Sequence, residues 1–412
     1  MHIETIPTFA LDFTGWSASR QSADAFYRRL LAIHGKLFFD GSCWLVVDYD
    51  VIKRIVSDET HFSARLEQPH RSTHPLMKRL AKQAIFLDGA DHRRIQQLIQ
   101  RPLARLTRPN SSLLLQIETI VHTLLDRLSP QGKMDLARDF AEPLTDLVMA
   151  QLMGIPCHDQ ARLRLLMEGA DAFGDITSGY TRTSVRSIDA LCEALRQLIT
   201  VKRAHPADDL LSALVSEPAD PHSPVFQDED ELMATVLMLL GAGRVTAKKV
   251  LVDGSYLLLD QWDHVRMEVQ AHPRRINTLV EYVLCWITPT SYIARWARED
   301  IQIGDQVMRA GQKVLLFLEA ANHLSVRCPP SSSDAPCDIQ QPLPRPHFAF
   351  GPADDPHVCV GAGLAREELR RAFADLLKRF SGLSLQPDAQ LSFHPNPNIG
   401  GLVSLPVQWE PL

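Results

Sequence analysis

One helix candidate, which runs from about residue 229 to residue 262, constrains the fold of this chain more than any other feature. Four carboxylates open it, at residues 228–231, where they suit the positive end of a helix dipole. At about 1.5 Å per residue, such a helix would cross the whole molecule.

Six further segments place apolar residues three or four positions apart, which is typical of helices with one buried face. They are residues 22–33, 93–106, 113–128, 144–153, 183–203 and 363–380. Strand-like segments are short, and they are residues 36–40, 43–47, Tyr292–Ala297, 313–318 and the C-terminal stretch 391–409. The sequence thus predicts a mainly α protein with small β-sheets, an α+β fold class.

Composition and charge exclude several classes of protein. Of 412 residues, 45% are hydrophobic and 22% are charged, as in ordinary globular proteins, and a net charge of −6 gives no basic field for nucleic acid. The longest nearly continuous apolar run, residues 236–243, is too short to cross a bilayer. The first 13 residues lack the basic start of a secretory signal. We expect a cytoplasmic protein with neither nucleic-acid nor membrane partners.

Seven cysteines, an odd number without a Cys-x-x-Cys pair, argue against a zinc cage and a disulfide framework. One of them still has the setting of a metal ligand or a nucleophile. Cys359 follows a proline-rich irregular loop at about 328–346 and lies just before Gly361 and an amphipathic helix. Backbone N–H groups at the start of a helix favour the thiolate form of a cysteine. A lone loop cysteine is more often without function, so the residues around it must decide.

The middle of the long helix candidate contains Gly241 and Gly243. Each glycine inside a helix costs about 1 kcal/mol relative to alanine, so something should approach the backbone closely here. A bound ligand and a closely packed neighbouring helix explain the pair equally well.

Several motifs, in the right order along the chain, resemble those of the bacterial cytochrome P450 family. Phe350-Gly351, followed by His-x-Cys-x-Gly-Ala-x-Leu-Ala-Arg-x-Glu-Leu at residues 357–369, is similar to the haem-thiolate loop of that family. Residues 242–246, Ala-Gly-x-x-Thr, resemble its oxygen-binding groove, and residues 91–94 and 295–300 resemble two further segments. The resemblance covers the chain from about residue 10 to its end.

The resemblance implies one haem-thiolate domain over residues 1–412 with the triangular-prism fold of the family, in which the irregular loop at about 328–346 leads to the haem-ligand loop 348–361. It implies haem b as the cofactor and Cys359 as the thiolate ligand of its iron. The other implied cofactor-binding residues are His92, Arg295, His357, Phe350 and Gly361. The first three of these would hold the haem propionates. The implied catalytic residues are Ala242 and Gly243, which leave room for dioxygen, and Thr246, which supplies a hydroxyl group.

The chain departs from the family where most members carry a Glu-x-x-Arg pair that contacts an arginine of the irregular loop. The three aligned positions are Tyr282, Cys285 and Gln341, so all three charges are missing together. Stranding one charge of a buried ion cluster costs about 3–5 kcal/mol, whereas replacing the whole cluster by neutral groups can be nearly free. We expect the neutral set to be compatible with a stable fold.

A second departure lies in the long helix candidate. The residue before Thr246 is commonly an acid that relays protons, but here it is Val245. Protons must then come from other groups or ordered water, or the usual oxygen chemistry is not used. Arg244 and Lys248 share a face of this helix, and we expect them to form a solvated stripe.

The haem-ligand loop is also two residues longer than is usual, and it includes Asp354 and Asp355. We expect both on the proximal surface, where small electron-donating proteins dock, beside a basic patch. The candidates for that patch are Arg366, Arg370, Arg371 and Lys378. The two acids would then weaken the docking of an acidic ferredoxin.

The leading hypothesis is a haem-thiolate monooxygenase that tailors a small molecule in biosynthesis, using dioxygen and an external electron donor of the ferredoxin or flavodoxin type. The alternatives are a haem-thiolate isomerase, dehydratase, cyclase or peroxide-dependent oxidase, and a non-catalytic haem protein. By family position, residues 67–86, 166–185 and 290–294 would line the substrate pocket. Basic residues along the first two suggest an anionic or carrier-bound substrate, although a solvated basic rim is the simpler explanation.

Overall fold

The computed structural model describes residues 27–29, 31–32, 35–65, 78–79, 81–156, 165–167, 169, 182–216, 223–325, 339–394, 396 and 398–410. The predicted helix at 22–33 lies mostly outside these residues. Of the predicted irregular loop, residues 339–346 are described, and they form neither helix nor strand.

Helices dominate the described chain. In order they are α1 (Tyr49–Ser57), α2 (Gly89–Leu106), α3 (Ser112–Leu128), α4 (Glu142–Met153), α5 (Arg182–Ala204), α6 (Leu210–Val215), α7 (Glu229–Leu258), α8 (Trp262–Ala271), α9 (Arg275–Trp286), α10 (Leu318–Ser325) and α11 (Ala362–Arg379). Short 3₁₀ turns lie at Ala84–Phe86, Ser129–Gln131 and Leu259–Gln261, and a π-helical turn lies at Leu136–Ala141. The apolar periodicity predicted α2 to α5 and α11 to within a few residues.

The strands are short and form three sheets within the described residues. They are β1 (Leu37–Phe39), β2 (Trp44–Val46), β3 (Phe62–Ser63), β4 (Lys133–Asp135), β5 (Tyr292–Ala297), β6 (Ile301–Ile303), β7 (Gln306–Met308), β8 (Lys313–Phe317), β9 (Ser384–Leu385) and β10 (Pro406–Gln408). The strand orders are β1-β2-β8-β5-β3, β4-β10-β9 and β6-β7, and only β2 and β8 pair in parallel among these strands. Within the predicted C-terminal strand region, β10 and an isolated bridge between Phe393 and Leu402 form pairs.

The long helix α7 is the longest helix of the described residues. The side chain of Asp228 caps its start by accepting a hydrogen bond from the N–H of Glu231 at 2.8 Å, and the helix runs for 30 residues. It packs against α4, α9 and α11. It ends at Leu258, earlier than predicted, because Trp262 begins a new helix and donates its indole N–H to the carbonyl of Phe380 at 2.7 Å.

The five-stranded sheet fixes the position of Arg295. The register of β5 and β8 places Arg295 opposite Val314, and β3 pairs with the end of β5 through Phe62 and Ala297. Arg295 is thus held in a strand that has neighbours on both sides.

A hydrophobic core joins these elements, from Trp44 on β2 to Trp409 near the end of the described chain. No helix within the described ranges is long and apolar enough to span a bilayer. That all 412 residues form one domain stays a prediction.

Candidate functional site

The predicted ligand loop leads directly into α11. Its turn depends on Gly351, whose φ of +82° is a conformation that residues with side chains rarely adopt. Backbone hydrogen bonds then close the loop: the N–H of Gly351 donates to the carbonyl of Phe348, and the N–H of Cys359 donates to the carbonyl of Phe350, both at 2.9 Å. The guanidinium of Arg366 lies 4.5 Å from the centre of the Phe350 ring. Phe350 therefore supports the loop through both its backbone and its side chain.

Cys359 lies where this loop meets the helix. Gly361 is the N-cap of α11, and the backbone N–H groups of Gly361 and Ala362 hydrogen-bond to the thiol sulfur. The side chain is exposed on one side, while the protein that crowds its other sides raises the pKa of the thiol by burial. The two N–H groups and the charge of Arg366 oppose that rise. A thiol in this setting is suited to bind a metal centre, because coordination removes its proton outright.

Two histidines from different elements pack against each other at the ligand loop, with their rings tilted by 33°. His92 of α2 is 2% exposed, and the centre of its ring lies 4.0 Å from that of His357. Burial lowers the pKa of His92, and burial together with Arg295 and the neighbouring ring lowers the pKa of His357 to about 2. Both rings are therefore neutral at neutral pH. The buried Nδ1 of His92 has no hydrogen-bond partner among the described residues, so a polar group brought here would satisfy it.

Arg295 joins the two histidines, as predicted, but it has an anionic partner from the chain itself. Its Nη2 donates to both carboxylate oxygens of Asp355, at 2.9 and 3.2 Å, and its Nη1 donates to the carbonyl of Ala294 at 3.0 Å. The two charged residues are 7% and 3% exposed. Asp355 also accepts a hydrogen bond from the N–H of His357 at 2.9 Å. Burial raises the pKa of Asp355, and Arg295 and this N–H oppose the shift.

The expectation that Asp355 lies on the proximal surface is therefore wrong. Its N–H donates to the carbonyl of Pro352, and its own carbonyl accepts from the N–H of Val358, both at 3.0 Å, in a turn that brings the side chain inward. The physical reason is that a buried arginine without a counter-ion is costly. Asp354, by contrast, is half exposed and pairs with Lys53 at 2.9 Å.

On α7, Ala242 and Thr246 lie four residues apart on one face. Ala242 is exposed, and the hydroxyl of Thr246 donates to its carbonyl at 2.6 Å. Threonines inside helices commonly bond back to the carbonyl four residues earlier. The predicted groove residues thus leave an open stretch of helix beside a hydroxyl group, and their catalytic role stays a prediction.

Gly243 is explained by the neighbouring helix. A Cβ at this position would lie 2.6 Å from the Sδ of Met149 on α4, which is closer than atoms can approach. Of the two explanations that the sequence left open, close helix packing therefore accounts for this glycine. A further part in leaving room for dioxygen stays a prediction.

The expectation of a solvated basic stripe on α7 is wrong for Arg244. This residue is 4% exposed and pairs with two carboxylates of α4, Asp146 and, at 3.6 Å, Glu142. Lys248, on the same face, also pairs with Glu142. Helical spacing predicted the shared face of Arg244 and Lys248 correctly, but it did not reveal that another helix covers this face with acids.

The neutral positions aligned with the Glu-x-x-Arg pair do not form one buried set. Tyr282 and Cys285 are 8% and 0% exposed on α9, whereas Gln341 is exposed. Cys285 is disulfide-bonded. The free cysteines of the described chain are Cys43, Cys192 and Cys359. The cysteine count argued against disulfides and misled here, because sequence spacing does not reveal which cysteines meet in the fold.

A charged network beside Tyr282 ties α9 to the ligand loop and to α11. Glu281 accepts hydrogen bonds from Nε and Nη2 of Arg366 at 2.6 and 3.0 Å, and it contacts Nε2 of His347 at 3.1 Å. Burial alone would raise the pKa of Glu281, but His347 and Arg366 outweigh it and hold the pKa at about 2. Glu281 is therefore charged throughout the neutral range.

Most of the predicted basic docking patch is paired within the chain. Arg366 bonds to Glu281, and Arg370 and Arg371 both pair with Glu367. Lys378, the fourth candidate, is exposed. This face therefore carries less uncompensated positive charge than its arginines suggest.

Much of the predicted substrate-pocket wall lies outside the described residues. Among the described basic residues of its rim, Arg79 and Lys82 are paired with acids at the start of α7, whereas Lys78 and Arg186 are exposed. Lys82 lies 2.5 Å from Asp228, and Arg79 lies 3.4 Å from Asp230. Their pairing supports the simpler explanation of the basic rim.

Sequence analysis missed two residues that shape the site. Gln96 of α2 donates from its side chain to the carbonyl of Pro356 at 2.9 Å, which ties the ligand loop to that helix. Asp355 neutralises Arg295. A usable signal for Asp355 was its place two residues before His357, since a histidine expected beside Arg295 must bring its close neighbours there too.

Comparison with known proteins identifies the family. The chain is 31% identical over 399 residues to the biotin biosynthesis cytochrome P450 of Bacillus subtilis (strain 168), across 94% of this chain and 96% of that protein. It is 32% identical over 391 residues to nocardicin C N-oxygenase of Nocardia uniformis subsp. tsuyamanensis, across 92% of each chain. The crystal structure of P450BioI in complex with an acyl carrier protein ligated to hexadec-9Z-enoic acid matches with a TM-score of 0.79 at 28% identity, across 95% of this chain and 99% of that one. No protein-family model matches the chain.

The mainly α architecture with small sheets is shared with these solved structures, which confirms the predicted fold class. On this fold, a loop with a cysteine leads into a long helix, as a haem-thiolate protein requires, and the role of Cys359 as the ligand stays a prediction. The chain belongs to the cytochrome P450 family. The family implies a haem cofactor, and one of the two relatives is named for biotin biosynthesis.

Proposed function

We propose that this chain is a haem-thiolate monooxygenase that oxidises a small molecule in biosynthesis, with haem b as its cofactor. The observation that carries the proposal is the ligand loop, where the thiol of Cys359 receives two backbone N–H groups beside the cluster of His92, His357 and Arg295. We include in the proposal a single haem-thiolate domain with an irregular loop at about 328–346 and a ligand loop at 348–361.

The described residues fit this cofactor. The unpartnered Nδ1 of His92 and the remaining guanidinium donors of Arg295 suit the carboxylates of the propionate edge. Cys359 would bind the iron through its thiolate, held in place by the carbonyl of Phe350 and the N–H of Gly361. When bound, haem supplies an oxidising centre that side chains alone do not provide.

Thr246 would orient a hydrogen-bond donor on the substrate side of the site. Its O–H donates to the carbonyl of Ala242, which keeps the hydroxyl at a fixed point on α7, and its oxygen remains able to accept a hydrogen bond from water or a bound group. Val245 cannot carry a proton. Protons would therefore reach the site through ordered water that the hydroxyl oxygen of Thr246 helps to hold.

Absorption spectroscopy of the purified holoprotein tests the ligand assignment. We expect the reduced, carbon monoxide-bound protein to show the thiolate band characteristic of the family, and Cys359→Ala to lose it. Cys43→Ala is the matched control, because Cys43 is also a free thiol of the described chain. A thiolate-type band that survives in Cys359→Ala, or disappears in the control alone, would refute the assignment.

We propose as substrate a small molecule that is either free or bound to a carrier protein. Two relatives are named for biotin and nocardicin C, and P450BioI is described in complex with an acyl carrier protein. The ion pairs of Arg79 and Lys82 reduce the positive charge available for an acidic carrier. Substrate-induced shifts of the haem absorption, measured with free and carrier-bound candidates, distinguish the two cases.

Electrons would come from a separate donor of the ferredoxin or flavodoxin type. Val245, in the place of a proton-relaying acid, favours one alternative, a haem-thiolate enzyme that uses peroxide instead. Turnover of one substrate should be compared with donor plus dioxygen and with hydrogen peroxide. Product with hydrogen peroxide, but none with donor plus dioxygen, would support the alternative and count against the monooxygenase.

A further inference from the structure

The inserted residue Asp355 forms a buried ion pair in the place where the proposed function puts the haem propionates. Its carboxylate is 3% exposed and binds both Nη2 of Arg295 and the backbone N–H of His357. Arg295 and His357 are two of the three residues that would hold the propionates. Asp355 therefore contacts two residues that would themselves contact the propionate edge of the cofactor.

The pair leaves Arg295 able to bind a second anion. A guanidinium has five N–H donors, and the described contacts use Nη2 towards Asp355 and Nη1 towards the carbonyl of Ala294. Nε and one further Nη1 proton have no hydrogen bond among these contacts. One arginine can thus serve two carboxylates, one from the protein and one from the cofactor.

The other carboxylates that act on this cluster from outside the ligand loop, Glu59 and Asp88, pair with Arg93 and Arg298. The rings of His92 and His357 pack against each other and are neutral. Asp354, the adjacent acid, is half exposed and pairs with Lys53 on α1. Asp355 is therefore the fixed negative charge that the longer ligand loop adds to the buried cluster.

We propose that Asp355 acts as a built-in carboxylate that shares Arg295 with a haem propionate and thereby lowers the midpoint reduction potential of the haem. The inference rests on the proposed function, since it requires haem at Cys359. Reduction of ferric to ferrous haem by the external donor adds one electron, and hence one negative charge, to the site. A buried anion nearby opposes that addition, and it does so more strongly than an exposed one because water screens it less.

The test is spectroelectrochemical titration of the holoprotein in three variants. Asp355→Asn removes the charge with nearly the same shape, and Asp355→Glu keeps the charge. Asp354→Asn is the matched control, because it removes a neighbouring but half-exposed acid of the same loop. The carbon monoxide spectrum of each variant verifies that the thiolate ligand is in place.

We expect Asp355→Asn to raise the midpoint potential by about 59 mV, which corresponds to a roughly tenfold change in the equilibrium constant of a one-electron couple. Asp355→Glu and Asp354→Asn should remain close to wild type. An unshifted or lowered potential in Asp355→Asn, or an equal shift in Asp354→Asn, would overturn the proposal.

Should Asp355→Asn not accumulate, Asp355→Ser removes the same charge with a smaller side chain and is titrated instead. Loss of haem from both neutral variants would also overturn the proposal, because Asp355 would then be a structural requirement and not a tuning charge. A wild-type protein that binds no haem would refute the proposed function itself. Haem-bound wild type with an unshifted neutral variant refutes this inference alone.

Discussion

Glu368, on the buried side of α11, is a carboxyl group that the fold should hold in its protonated form. It is 3% exposed, and its Oε1 has no hydrogen-bond partner among the described residues. Burial raises its pKa from the ordinary value of 4.5 to about 8. Between these two pH values the folded protein binds a proton that the unfolded chain has released.

The stability contributed by this proton is fully present below about pH 4.5, and it is lost as the pH rises through about 8. Each pH unit inside this window lowers the free energy of unfolding by about 1.4 kcal/mol, so the loss at pH 7 is about 3 kcal/mol. Glu368→Gln keeps the shape and removes the ionisable proton. We expect the variant to exceed wild type in stability by up to about 3 kcal/mol at pH 7, and by little near pH 4.5.

Thermal unfolding of the holoproteins, followed by circular dichroism between about pH 5 and pH 8, measures this difference. For a chain of this length the gain at neutral pH corresponds to about 3–4 °C in Tm. Glu410→Gln changes an exposed glutamate and serves as the control, whose pH profile should follow wild type. Parallel profiles for Glu368→Gln and wild type across the window would refute the reasoning, because the carboxyl group would then have a partner or access to solvent.

Two further variants test α7. Gly243→Ala should stabilise a Met149→Ala background by up to about 1 kcal/mol through helix propensity. In wild type the new Cβ must displace the thioether of Met149, so the same change should gain less or be destabilising. Equal effects in both backgrounds would exclude the collision. Thr246→Ala should divert most reducing equivalents to hydrogen peroxide. Thr235→Ala is the control, because the buried hydroxyl of Thr235 likewise donates to the carbonyl four residues earlier in α7, and this variant should leave product coupling near wild type. Full coupling in Thr246→Ala would contradict conventional oxygen chemistry or this placement of the helix.

The helices could be predicted because their apolar periodicity is local information. The acids at the start of α7 and the spacing in α2 to α5 were sufficient, since each helix buries one face against the same core. The end of α7 was not predictable in this way. It depends on the contact of Trp262 with the carbonyl of Phe380, which lies more than one hundred residues away in the chain.

The site residues also divide into those that a local motif predicts and those whose surroundings depend on distant segments. Cys359, His357, Phe350 and Gly361 lie in one continuous motif, and the structure places them in one loop, as predicted. The environments of Arg244 and Asp355 were predicted wrongly. Arg244 was assigned to the surface as part of a basic stripe, and Asp355 as part of the lengthened ligand loop. In both cases the fold supplies an opposite charge from another segment, which offsets the free-energy cost of burying the charge.

The network around Glu281 explains how α9 remains anchored although the aligned Glu-x-x-Arg positions are neutral. Glu281 precedes Tyr282 and binds Arg366 of α11 and His347 at the entrance to the ligand loop. Because these partners hold its pKa at about 2, the carboxylate stays charged and the contacts persist across neutral pH. The helix is thus tied to the loop that carries Cys359 by a charged residue one position earlier. Neutral residues at 282 and 285 therefore leave no buried charge without a partner and do not release the ligand loop from α9.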